Sequence, residues 1–403
     1  VDTSATTPQL LRHANLRAVL EVLRASPAVT GTDLIQATGL TRATVIAVCD
    51  DLIARGWARE TDASRAPGGQ KGRPARKFEF NEHAGHVLGL DVGMATVRVL
   101  VADLSGAVVG RETARFSGHD ASAGERSETI TATIDAALEA AGVPGSSVLS
   151  VGVGVAAPVD RKGRIARGHH LGALFDLGHG KGPWADRDWP VLLENDANLA
   201  ALAERWRGAG SGVDNLAVVL AGERLSSGLI ESGRLLHGSG GGAGELGTLE
   251  IVEGVGSHDG IAKLARLWGT AALKAGEPTL IRDLVGPGTT RVSARFVFEA
   301  AAAGDALALE ILDRIARRMA RVLSLITTFF DPELVVIGGA VAASATALLP
   351  ALTEELGKLV DSPPRVAVSD MGEALVPTGA VRLALDHVEA NMLDLVPAAR
   401  RGA

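Results

Sequence analysis

The sequence predicts an α/β protein in two parts: a small basic head of three helices and a β-hairpin, and a larger acidic body built from a repeated strand–turn–strand unit. Three observations carry this prediction. Two helical segments near the start of the chain, each with its own capping residue, are joined by a tight turn at Gly39. The formal charge of −7 is unevenly divided: residues 1–81 hold 11 Lys+Arg against 8 Asp+Glu, whereas residues 82–403 hold 29 against 39. A strand–turn–strand pattern near residue 90 returns near residue 218, each time followed by helical sequence. A length of 403 residues is also too great for one ordinary hydrophobic core and implies two or three domains.

In the head, Leu16, Val19, Leu20 and Leu23 recur at helical spacing and predict an amphipathic helix over Arg12 to Leu23. A second short helix begins at Thr30 or Thr32, whose hydroxyl can accept from the unpaired N–H groups of its first turn. Gly39 stops it and Thr41 caps the next, giving the turn of a helix-turn-helix. In the third helix Val45, Val48, Cys49 and Leu52 share one face. Thr41, Arg42, Ala43, Thr44, Ile46 and Ala47 are then left for solvent or a groove, and small residues around one arginine suit close approach to base edges in a major groove.

Trp57–Glu60 and Arg76–Phe80 read as antiparallel strands around a loop rich in Arg, Lys, Gly and Pro. Three helices with such a hairpin make a winged helix-turn-helix, assigned to residues 1–81. Lys71 and Arg73 in the loop are candidates for phosphate or minor-groove contacts, with a solvated loop as the bland alternative. The expected partner is double-stranded DNA with a near-palindromic site, read by a homodimer or homotetramer.

The body, residues 86–403, opens with a buried strand, Val87 to Val92, ending in Asp91-Val92-Gly93, then strands at Thr96 to Ala102 and beyond the Asp103–Gly106 turn. The pattern repeats as Asn215–Leu220, Gly228–Ile230 and Arg234–Leu236. Two such blocks predict two lobes with a cleft between them. The lone Cys49 excludes an intramolecular disulfide framework and any site needing several thiolates, which fits a reducing, cytoplasmic setting. No apolar stretch approaches the ~20 residues that span a bilayer, so no membrane partner is expected.

The order of winged helix, Asp91-Val92-Gly93, Gly152–Pro158, Glu194-Asn195-Asp196-Ala197-Asn198, Gly244-Glu245-Leu246-Gly247 and Asp331–Gly339 resembles the ROK family of repressors and sugar kinases. The resemblance implies an actin-like, ribonuclease-H-like body of two lobes. It places Asn195 and Asp196 against sugar hydroxyls, with Asp196 as general base if the chain is a kinase, and Glu245 on further hydroxyls. Read from the residues alone, Asp196 and Asn198 could equally cap the helix through Leu199, Leu202 and Trp206. His170, beside His169, could line the same cleft or simply be exposed.

The sequence departs from the family pattern where phosphate and metal would bind. Met94 stands in the first phosphate turn and Glu223 in the second, places where glycine normally lets backbone N–H groups reach phosphate. Thr248 replaces a zinc-ligating histidine, no cysteine lies within Glu250–Gly260, and Ala262 falls near a sugar-binding glutamate of the family. The resemblance with these departures predicts a DNA-binding regulator, most naturally a repressor of genes for sugars or related compounds. It would bind a small-molecule effector at Asn195, Asp196, Glu245 and His170, need no cofactor or metal, and perform no turnover. The alternative is an ATP-dependent sugar kinase with an added DNA-binding head.

Overall fold

The structure, a computed structural model, describes residues 8–61, 76–118, 121–165, 182–286, 289 and 291–397. Helix α1 (Pro8–Ala25) buries the predicted stripe of Leu16, Val19, Leu20 and Leu23 and runs beyond its expected bounds at both ends. After β1 (Val29–Thr30), α2 (Gly31–Thr38) starts at a full capping box. The Thr30 hydroxyl accepts from Asp33 N while the Asp33 carboxylate accepts from Thr30 N. Gly39, with φ +69°, ends it in the left-handed region. Thr41 then caps α3 (Arg42–Arg55) by accepting from Thr44 N.

Strands β2 (Ala58–Thr61) and β3 (Lys77–Phe80) pair antiparallel, and β3 also pairs with β1, giving a three-stranded sheet in the order β1-β3-β2. Ile46, expected toward solvent, is half-buried against the head core. The apolar face of α3 is wider than the four positions read from the sequence.

The first lobe holds β4 (His86–Val92), β5 (Thr96–Asp103), β6 (Val108–Arg115), α4 (Ala123–Ala141), β7 (Val148–Val155) and β8 (Val191–Asn195). Its sheet runs β6-β5-β4-β7-β8, antiparallel through the hairpins and parallel beyond β4. Helix α5 (Asp196–Arg207) leads to the second lobe, which opens with β9 (Leu216–Leu220), β10 (Ser226–Glu231) and β11 (Arg234–Leu235). There follow α6 (Ile261–Ala275), α7 (Ile281–Val285), α8 (Ala294–Ala302), α9 (Ala306–Phe330) and β12 (Leu334–Gly338), then α10 (Ala342–Ala345), α11 (Leu349–Leu359) and β13 (Arg365–Val368). The sheet order β11-β10-β9-β12-β13 repeats that of the first lobe, with the same switch from antiparallel to parallel pairing. The repeat seen in sequence is therefore a repeat of topology.

The last helix, α12 (Leu375–Asn391), follows the second sheet but packs on β4 and β7 of the first, alongside α5. Glycine makes this return possible. A Cβ at Gly89 would lie 2.3 Å from Pro377 O, one at Gly152 2.1 Å from Ala380 O, and one at Gly379 1.9 Å from Leu199 O. Helix and sheet backbones thus meet closer than any side chain permits. On its other side α12 joins the head: Val381, Leu385, Val388 and Met392 share one buried cluster with Leu20, Leu52, Trp57 and Phe78. Glu389 pairs with Arg24, and Arg55 donates to Leu393 O at 3.2 Å.

Candidate functional site

The cleft chemistry gathers where β8 passes into α5. The helix cap falls on Asn195, not on Asp196 or Asn198: the Asn195 amide oxygen accepts from Ala197 N at 2.9 Å and Asn198 N at 3.1 Å. Its Nδ2 donates to Ala157 O at 3.1 Å, and the residue is 5% exposed. Asn195 is therefore built into the scaffold, where it holds the first turn of α5 on which Asp196 stands.

Beneath it lies Glu194, also 5% exposed. One carboxylate oxygen accepts from Asn195 N at 2.9 Å and Asn198 Nδ2 at 2.8 Å, and the other from His237 Nε2 at 2.8 Å. That bond holds His237 above the ordinary histidine range. Sequence reasoning passed over both residues. The available signal was Glu194 four positions before Asn198, across the strand-to-helix joint.

Asp196 is half-buried, and its pKa is pushed up to about 7, first by burial and then by the charges of Asp91 and Glu245. Asp91 is pushed up to about 6 by burial, against the pull of Arg98, whose guanidinium lies 3.3 Å away. Glu245 reaches the surface, and the protein around it raises its pKa as well. Its loop is pinned at Gly244, φ +83°, where a Cβ would strike Ser227 O at 2.1 Å. Of the four predicted effector residues the structure thus gathers Asp196 and Glu245, with Asn195 buried behind them. Three neighbouring carboxyl groups, not all ionised at neutral pH, can accept from hydroxyls of a ligand and donate one proton back.

The phosphate side differs from the sequence expectation. Met94 packs half-buried against the first lobe's core. Glu223 stays ionised, but Arg266 clamps both its oxygens, at 2.5 and 2.7 Å, and offsets its charge. The stronger obstacle to phosphate is α6. Gly260 N donates to Glu223 O at 3.0 Å, Ile261 N to Ala221 O at 2.8 Å and Ala262 N to Gly222 O at 3.1 Å. The helix-start N–H groups that could have met an anion are already bonded to the loop.

In the segment where the sequence lacks the expected zinc ligands, Asp259 pairs with Lys263 at 2.7 Å, and Ala262 packs half-buried on the second lobe's core. Among the described residues one group of potential metal ligands comes together, Glu82, His83 and Asp103, with ligand atoms within 4.8 Å of one another. Asp103 there already accepts from Ser105 N and Ala107 N, at 2.9 and 3.0 Å. The group is that of a hydrogen-bonded turn.

In the head, Thr41, Arg42 and Ala43 are exposed at the start of α3, with Thr44 half-buried beside the Thr41 hydroxyl. Lys71, Arg73 and His170 lie outside the described residues.

This duplicated sheet order, with carboxylates at the β8–α5 joint, coincides with a family model described as ROK family, which matches residues 87–384. The chain belongs to the ROK family. It is 30% identical over 284 residues to a glucokinase of Halalkalibacterium halodurans, covering 65% of this chain and 82% of the relative. It is 24% identical over 404 residues to the xylose repressor of Bacillus subtilis, covering 96% and 97%. The crystal structure of a ROK family transcriptional regulator, a homologue of the Escherichia coli MLC protein, superposes with a TM-score of 0.77 at 21% identity, over 96% of this chain and 99% of that one. This ROK body therefore has the sugar-kinase-like α/β fold. No helix among its described residues is long and apolar enough to cross a membrane.

Proposed function

We propose that this ROK protein is a DNA-binding transcription regulator without turnover. Residues 1–81 form a winged helix-turn-helix, and residues 86–403 form the effector-sensing and oligomerising body. The observation that carries the proposal is the exposed first turn of α3: a helix start capped by Thr41 presents the exposed Arg42 between small residues. The 96% coverage by a relative named xylose repressor, against 65% for one named glucokinase, supports it, because the former span includes the head. The cleft at Asp196 and Glu245 would take a polyhydroxylated small molecule, a sugar or derivative, whose binding shifts the balance between DNA-competent and incompetent lobe arrangements. Repression is the sense favoured by the same relatives, and a dimer or tetramer on a near-palindromic site follows from two heads reading two half-sites.

The test is selection of genomic fragments by the purified protein, repeated with Arg42→Ala. A shared two-fold motif whose affinity falls by about 1–3 kcal/mol in the variant is the expected result; absence of sequence-specific enrichment overturns the reading. A kinase reading is favoured by one observation, the raised pKa of Asp196, which suits a general base near neutral pH. ADP formation over a hexose panel, abolished by Asp196→Asn, would establish it instead.

A further inference from the structure

A cavity of about 950 Å³ opens beside the β8–α5 joint and is distinct from the carboxylate cleft. The hairpin at residues 160–165 and β8 form one wall, Leu235 and His237 of the second lobe another, and Leu383, Asp386 and His387 of α12 a third. The size suits a small organic ligand.

Its acidic groups are each engaged by a basic side chain. Glu194 is bonded to His237 at 2.8 Å, Asp160 to Arg164 at 2.6 Å, and Asp386 to Arg382. Two cations are left over: Arg161 and Lys162 are exposed at the lining and make no ion pair among the described residues. Arg161 lies close enough to His237 for its charge to oppose protonation of that ring. His387 adds a ring whose pKa is lowered by burial and whose Nδ1 faces Asn391 at 3.4 Å. The rest of the lining among the described residues is apolar, with Leu193, Leu202, Leu235 and Leu383 in it. A net positive rim over an aliphatic chamber selects an anion with an apolar body.

We propose that this cavity is a second ligand site of the body and binds a small organic acid, its carboxylate at Arg161 and Lys162 and its apolar part against the leucines. The position gives such a ligand two levers. Glu194 in the cavity wall also holds Asn195 N and Asn198 Nδ2, which aim the cleft. Leu383, Asp386 and His387 belong to the helix whose Leu385, Val388 and Glu389 meet the head. The binding claim is independent of whether the head reads DNA.

The test is isothermal titration of the full chain with sodium octanoate and, separately, sodium 3-phenylpropanoate, alongside neutral 1-octanol. We expect saturable one-to-one binding of at least one acid. The affinity should fall at least tenfold in the Arg161→Glu, Lys162→Glu double variant, whose changes are exposed and leave the thermal midpoint in place, and should be lost when Leu383→Trp fills the chamber. Hydrogen exchange should slow along α12 on adding the acid. Absence of saturable binding of both acids, equal affinity in the double variant, octanol binding as tightly as octanoate, or binding that leaves α12 exchange unchanged would each overturn the proposal.

Discussion

Asp196 is a residue whose ordinary chemistry has been displaced by its neighbours. Because its folded pKa, about 7, lies above the usual carboxylate value of 3.8, the native state binds the proton more tightly than the unfolded chain does. Asp196 therefore favours folding at low pH, and that contribution is lost as pH rises from about 4 through 7. Asp91, raised to about 6, acts in the same direction over a lower window. Asp196→Asn, which keeps the shape and removes the charge, should therefore raise stability by about 1–3 kcal/mol at pH 8 and change little at pH 4. Thermal unfolding of both proteins across that range measures it, and a pH-independent difference would count against the burial argument. At this scale the sequence was partly legible. The motif containing Asp196 stood out, but which of three polar residues would cap α5 depended on the exit angle of β8. The bond between Glu194 and His237, 43 positions apart, joins two lobes and leaves no local pattern.

The capped turns of the head were legible because a cap is a local bargain between one side chain and the next three residues. Thr30, Gly39 and Thr41 therefore fell where expected. The opening strands of each lobe, β4 to β6 and β9 to β11, were legible as short apolar runs between turn residues, whereas the parallel strands β7, β8, β12 and β13 were not read as strands. What could not be read was the partner of α12, since its glycine contacts lie on strands some 300 residues away in places and show no periodicity. These contacts make a sharp prediction. Gly379→Ala adds one methyl where α12 meets α5, 1.9 Å from Leu199 O, and neither backbone can move without disturbing a sheet. A loss of about 3 kcal/mol or more, or failure to fold, is expected on denaturant unfolding. Gly142→Ala offers an internal contrast: it has open space around it but a φ of +64°, so its cost should be about 1 kcal/mol from backbone strain alone.

Across the whole molecule, the head does not sit on the body as an independent bead. Its core continues into α12, and Glu389 lies between two arginines, Arg24 of the head and Arg382, the latter at 2.5 Å. Removing that carboxylate leaves Arg382 with Asp386 but takes from Arg24 its ion-pair partner among the described residues, at a half-buried seam. Glu389→Ala should therefore loosen the head by about 1–3 kcal/mol. Faster hydrogen exchange in α1 and β3 with unchanged exchange in α9 would report it, whereas uniform acceleration would mean the whole chain had weakened. The division of the body into two lobes was visible in sequence as a repeat. The seam between head and body was not, because nothing in residues 1–81 says which surface covers the outer side of α1 and Trp57.

That seam also imposes an order in time. A ribosome releases the head well before the helix that completes its apolar core, which is made some 300 residues later. At roughly 5–20 residues per second, the ~300 residues between them occupy about 15–60 s, during which Leu20, Trp57 and Phe78 lack their final neighbours. The nascent protein therefore has a long interval in which its basic head is out but unfinished, and it completes that segment only once both lobes of the body have been synthesised.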